Sequence, residues 1–203
     1  MTDTPHVWFT ADTHFAHQKI IKFHPNRNPD PDNLAWNDPD ALAGMEEMLI
    51  QSWNGVVAKH DHIYLVGDFC FGYQADAERV FNQLNGYKHL IRGNHDPERV
   101  CKLAWESVSE IKEVKAGGHR FVLCHFPMVS WNKMHKGYMH LHGHSHGGLL
   151  KSGEAKRQPA RMDVGIDCHP NLRPFHIDEV LANMGQVNLR ADANHGPEGR
   201  GDS

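Results

Sequence analysis

The stretch His62-Ile63-Tyr64-Leu65-Val66-Gly67-Asp68 is an apolar run that stops at a glycine and a carboxylate. The same grammar returns in Tyr87-Lys88-His89-Leu90-Ile91, which runs into Arg92-Gly93-Asn94-His95-Asp96-Pro97. Short apolar runs bounded by turn residues read as buried strands. Between the two, Ala75 to Leu84 places Val80, Phe81 and Leu84 on one helical face, and Asn85-Gly86 closes it. Upstream, Val7-Trp8-Phe9-Thr10 is a third such strand, ending in Ala11-Asp12-Thr13-His14. Asp38-Pro39-Asp40 then begins a helix with Leu42, Met45, Met48, Leu49 and Trp53 at helical spacing. Strand–helix–strand, twice over, predicts an α/β domain with a parallel sheet. Ligands gather at the carboxyl ends of such strands, which is where the polar clusters fall.

The second half predicts a different sheet. Ser107–Val114 and Arg120–Cys124 read as strands of a hairpin joined through Ala116-Gly117-Gly118-His119, with His125 following the second. His140-Leu141-His142-Gly143-His144-Ser145-His146-Gly147 sets four histidines at alternate positions. A strand sends these to one side, and Gly143 and Gly147 place His144 and His146 on the exit loop. Met162–Ile166 and Pro174–Ile177 read as further strands, and Asp178 caps a short helix through Met184. One domain is expected over 1–189. The small, polar, Gly-rich stretch 190–203 reads as a disordered tail.

Composition narrows the function. Eighteen histidines in 203 residues compare with the roughly four or five of ordinary usage, an excess that points to metal or proton chemistry. A net charge of −4 with 21 Lys+Arg makes no strong case for long nucleic acid, which needs a basic face. Cys70, Cys101, Cys124 and Cys168 form no CxxC pair, so a zinc ribbon is not expected. No signal peptide and no membrane span are read, and the expected location is the cytoplasm, with thiols reduced.

Five clusters thus follow strands: Asp12-x-His14, Gly67-Asp68, Gly93-Asn94-His95-Asp96, His125 and Gly143-His144-x-His146. In residues and order they resemble the calcineurin-like metallophosphoesterase superfamily, from about Val7 to Ile177, and within it the small single-domain bacterial and phage-type phosphoesterases. The resemblance implies a four-layer αββα sandwich, two mixed β-sheets flanked by helices. It implies that Asp12, His14, Asp68 and His146 hold one metal, that Asp68, Asn94, His125 and His144 hold a second, and that His95 contacts substrate.

The chemistry of these residue types agrees. Asp68 has two oxygens and can bridge two cations, while neutral histidines and the Asn94 carbonyl add ligands without cancelling charge. Mixed N/O ligands suit manganese, iron, zinc or nickel, with manganese the first choice. The expected enzyme is a dinuclear phosphoesterase, a phosphatase or phosphodiesterase. It would hydrolyse a small phosphorylated substrate or nucleotide by in-line attack of a hydroxide bridging the metals. His95 would donate to phosphate or protonate the leaving group, so Asp68 and His95 are the candidate catalytic residues. Arg92, His17 and Asp96 are candidate substrate contacts, each with a structural reading beside it: a strand-end pair, a first-turn histidine, a turn cap. Trp131, Lys136 and Tyr138 could wall the pocket and stack a base, or belong to the core. The alternatives are a nuclease acting on short nucleic acid and a noncatalytic metal-binding scaffold of the same fold. Oligomeric state is not legible.

Overall fold

A computed structural model describes residues 5–152 and 160–185; the tail expected at 190–203 lies outside them. Two mixed sheets form the frame. In the first, β1 (Val7–Thr10), β2 (His62–Leu65), β3 (Tyr87–Ile91) and β4 (Ser107–Ser109) run parallel, and β9 (Phe175–His176) pairs antiparallel with β1, giving the order β4-β3-β2-β1-β9. In the second, β5 (Ile111–Ala116) is antiparallel to β6 (His119–Cys124), and β7 (Met139–His142) and β8 (Arg161–Asp163) follow in parallel.

The period-2 pattern of the strands sorts side chains between two cores. Trp8, Ile63, Leu65 and Leu90 pack under α2 (Pro39–Asn54) and α3 (Gln74–Gln83), meeting Met45, Leu49, Trp53, Val80 and Phe81. Phe9, Val66 and Ile91 face the second sheet, where Val114, Phe121, Leu123 and Leu141 complete the inter-sheet core. Asp38 caps α2 by accepting from Asp40 N–H at 2.9 Å, as the sequence signals. The remaining helices are α1 (Ile20–Phe23), α4 (Glu98–Cys101), α5 (Gly148–Lys151) and α6 (Ile177–Gly185), and α6 lends Ile177, Val180 and Met184 to the inter-sheet core. No described helix is long and apolar enough to cross a membrane.

Two expectations change. The strand read over Ser107–Val114 is two strands, because the chain leaves the first sheet after Ser109 and enters the second at Ile111. Only the second segment pairs in the hairpin, whose register Ala116↔His119 leaves Gly117 and Gly118 (φ +53° and +78°) as the turn. The second difference concerns the fourth layer. His140 lies on the outer face of the second sheet, and no long helix covers it among the described residues. The segment 126–138 does so instead: Trp131 packs on the His140 ring, whose Nε2 accepts from Met128 N–H. Among the described residues α2 and α3 cover the first sheet, α6 packs against β1, β8 and β9, and the segment 126–138 covers His140 of the second sheet.

Candidate metal centre

The loops that leave the strands hold one another. Asp12 N–H donates to Gly67 O at 2.9 Å and His14 N–H to Asp68 O at 3.0 Å, continuing the β1–β2 pairing beyond both strands. Gly143 N–H donates to His125 O, and Ile166 N–H to Ala11 O, which joins the two sheets at this end. The polar clusters of both sheets are thereby brought to one place.

That convergence bends the backbone. Asp12, His14, Asp68, His144 and His146 have φ between +45° and +68°, and they are five of the eight described non-glycine residues in the left-handed region. Such conformations cost free energy and gather where side chains must be aimed at a common point. The glycines of the motifs permit close approach. A methyl group on Gly93 would collide with Asp68 Oδ1, and one on Gly143 would lie 2.6 Å from Asp12 Oδ2.

Two groups of ligand-type atoms result, each within 4.8 Å: Asp12, His14 and His146, and Asp12, Asp68 and His125. Asp68 Oδ2 lies 3.5 Å from His14 Nε2 and 3.4 Å from His125 Nε2. Asn94 Oδ1 lies 3.0 Å from His125 Nε2 and 3.1 Å from His144 Nδ1. His125 is fixed from behind, its Nδ1 facing Val66 O at 2.9 Å. The donor set fits a cation on one further observation. His14 Nε2 is buried, has no hydrogen-bond partner, and sits beside a carboxylate, an arrangement that buried polar atoms otherwise avoid.

The electrostatics agree. Burial pushes the Asp12 carboxyl up to about 7 and the His14 ring down to about 2. At Asp68, burial opposes ionisation, but the hydrogen bond and charge of His125 hold the carboxyl down at about 2. At His125, burial opposes protonation and Asp68 overrides it, bringing the ring up to about 9. A cation held here would need a carboxylate at Asp12 and a neutral His125, so its uptake would release protons, from both groups below pH about 7 and from His125 between about 7 and 9. Both would have to be deprotonated to ligate, so the expected apparent affinity for a cation rises with pH through about 7 and on toward about 9. Calorimetric titrations in two buffers of different ionisation enthalpy measure that release.

The other expected site residues divide. His95 is exposed at the rim, held by its backbone N–H to Asp68 Oδ1 at 2.9 Å, with its ring 5.7 Å from that of His14. His17 is half-buried, 5.4 Å from His14, and stacks on Phe71. Asp96 does not face substrate: it is buried, and its carboxylate accepts from the N–H groups of Asp68, Phe69 and Gly93 at 2.8–2.9 Å, clamping the Asp68 turn. Arg92 is also occupied structurally, donating to Asp96 O at 2.9 Å and pairing with Glu110. Trp131 is turned away from the cluster, buried on His140 with Nε1 donating to Tyr138 O. Tyr138 instead carries Lys133 and Arg120 on its ring.

Sequence reading placed Asp163, Asp167 and His169 near the site without a role, and missed Arg27. Asp163 shapes the His146 loop by accepting from Ser145 Oγ and Gly147 N–H. Asp167 accepts from His146 Nδ1 at 2.7 Å. Arg27, fully buried, donates to Asp12 O, Thr13 O and both oxygens of Asp167. It is the only cationic side chain in the Pro/Asn/Asp-rich stretch 25–40, which was the one available signal.

Fold and cluster define an α/β protein of two mixed sheets with an imidazole–carboxylate centre at the strand ends. No protein-family model matches the chain. The Gene 66 protein of Mycobacterium phage D29 is 30% identical over 210 residues, covering 89% of this chain and 96% of that protein. The uncharacterized protein MJ1445 of Methanocaldococcus jannaschii is 30% identical over 181 residues, covering 86% and 89%. The chain belongs to the family that these proteins form. A solved structure of the protein of unknown function AQ665 from Aquifex aeolicus shares the fold, with TM-score 0.63 at 21% identity over 87% of this chain and 98% of that one.

Proposed function

We propose that the protein is a dinuclear metal-dependent phosphoesterase of the calcineurin-like metallophosphoesterase type. The observation that carries the reading is the meeting, at Asp12 and Asp68, of ligand-type atoms from four separate strand exits, with Asn94 from a fifth set against His125 and a buried imidazole nitrogen left unpartnered among them. Asp12, His14, Asp68 and His146 would hold the first ion, and Asp68, Asn94, His125 and His144 the second. Two divalent ions there, manganese first among the candidates, would acidify a shared water and neutralise phosphate charge.

The chain's own residues do the rest. Asp68 has one oxygen tied to the His95 amide and the other turned to His14 and His125, so its orientation is fixed. His95 stands at the rim, free to donate to a phosphate oxygen or a leaving group. Asp96 keeps the Asp68 turn rigid without adding charge at the rim.

The rim favours an ester with a flat organic group, a nucleotide above all. Phe71, 44% exposed, stacks on His17 at 4.2 Å and lies 5.2 Å from His95. Phe126, 45% exposed, meets His125 and His144 edge-on at 5.1 and 4.9 Å. Exposed rings beside a phosphate site offer a stacking platform. Phe71→Ala raises KM for a nucleotide by about 5- to 150-fold, the stacking range for one base. KM for the same phosphoester lacking the base stays within about twofold.

The test of the reading is turnover of p-nitrophenyl phosphate and bis-p-nitrophenyl phosphate by metal-stripped protein with manganese restored. Metal-dependent release of p-nitrophenol from either supports it. No turnover with two metals bound favours the scaffold alternative.

A further inference from the structure

We propose that Asp167 and Arg27 form a buried positioning pair that sets His146 for the first metal position, so that this position, and not the second, depends on them for its affinity. The inference rests on the dinuclear reading above. Asp167 Oδ2 accepts from His146 Nδ1 at 2.7 Å, which leaves His146 Nε2 as the ligating nitrogen, turned toward Asp12 Oδ1 at 4.0 Å. Arg27 then holds Asp167 in a two-pronged bond, Nε to Oδ1 at 2.8 Å and Nη2 to Oδ2 at 2.7 Å. The same guanidinium donates to Asp12 O at 2.6 Å and Thr13 O at 2.7 Å. One planar group thus locks the carboxylate behind His146 to the loop that carries Asp12 and His14. The His146 ring is also sandwiched between those of His14 and His24, at 5.1 and 4.7 Å.

Two points favour positioning over simple stability. A buried ion pair gains little over an apolar pair of similar volume, so stability alone does not call for one here. The arrangement is also one-sided. His125, at the second position, is backed by a neutral carbonyl, Val66 O. A carboxylate behind a ligating histidine raises its basicity and fixes its tautomer. Because Arg27 neutralises Asp167, the centre gains this without losing its pull on phosphate. The same geometry argues against reading His24, His146 and Asp167 as a third metal group: both oxygens of Asp167 already face a resident cation.

The first readout needs no variant. In the 15N imidazole spectrum of the metal-free protein, taken at a pH high enough for the ring to be neutral, His146 carries its single proton on Nδ1; a single proton on Nε2 instead overturns the proposal. The second is manganese titration of metal-stripped protein. Wild type binds two equivalents. Arg27→Met/Asp167→Leu, which removes both charges together, weakens one equivalent by about 10- to 100-fold and leaves the other within about twofold. Asp167→Asn keeps an acceptor for Nδ1 but loses the charge and one of the bonds to Arg27, so it too weakens that equivalent and leaves the other within about twofold. Asn94→Ala weakens the other equivalent, so the two classes are told apart. Unchanged affinity of both equivalents in a folded Arg27→Met/Asp167→Leu protein overturns the proposal, as does a third equivalent in wild type that this variant loses. A wild type that binds no manganese would instead sink the dinuclear reading itself.

Discussion

Asp68→Asn lowers metal-dependent turnover by about 10³-fold or more, at or beyond the loss from deleting one preorganised contact to a developing oxyanion. The substitution changes little in shape. The amide oxygen can still accept from His95 N–H, and the backbone of residue 68 keeps its bonds to Asp96 and His14. What it removes is the negative charge that stands beside His14 of one ligand group and His125 of the other, so both proposed metal positions weaken together. His125 loses the partner that holds its pKa up at about 9, and burial then drives it neutral. His95→Ala is the contrasting variant. It lowers turnover by about 10²- to 10⁴-fold, the range for a general acid, while metal binding stays intact because its ring is at the rim rather than in either group. Turnover and manganese binding, measured on both variants, separate the two roles; equal metal binding by wild type and Asp68→Asn would contradict the first.

Arg27→Met destabilises the fold by about 3–5 kcal/mol, the cost of stranding one member of a buried ion pair. Its side chain is fully buried and that of Asp167 is 3% exposed, so water cannot make good the loss. For a chain of this length the melting temperature falls by about 6–20 °C. Asp12 O and Thr13 O lose their donors at the same time. The pH dependence follows from Asp167. Burial alone would raise its pKa, but the hydrogen bonds of Arg27 and His146 hold it well below the ordinary carboxylate range. In wild type this contributes stability that is present above pH 4 and lost as pH falls through the depressed value. In the variant the stranded carboxyl takes up a proton readily, so the deficit is largest near neutral pH and shrinks toward pH 4. Melting curves at pH 7 and pH 4.5 check the size and the sign.

These two residues mark what the sequence did and did not reveal. Asp68 was legible because an apolar run of fixed length, His62–Val66, can end only at Gly67-Asp68, and a parallel sheet places such ends together. β1, β2, β3, α2 and α3 lie where spacing and caps put them, for the same reason. Arg27 was not legible: its role depends on partners 14 to 140 positions away in the chain, and its neighbours Asn26 and Asn28 say only that the chain turns. Asp96 kept two readings because carboxylates that clamp a turn and carboxylates that face a substrate are the same residue in the same motif; burial and its three backbone donors favour the turn. The stacking surface was sought at Trp131 and Tyr138, whereas the rings that border the cluster are Phe71 and Phe126. Each directly follows a motif strand exit, one beyond Asp68 and one at His125.

The most direct test of the account is the number of manganese ions held by the metal-stripped, refilled protein, measured by equilibrium dialysis at pH 8. Two per chain in wild type, with both weakened in Asp68→Asn, is the expected result. A wild-type chain that holds none, or two that Asp68→Asn binds equally well, would contradict a centre built around Asp68.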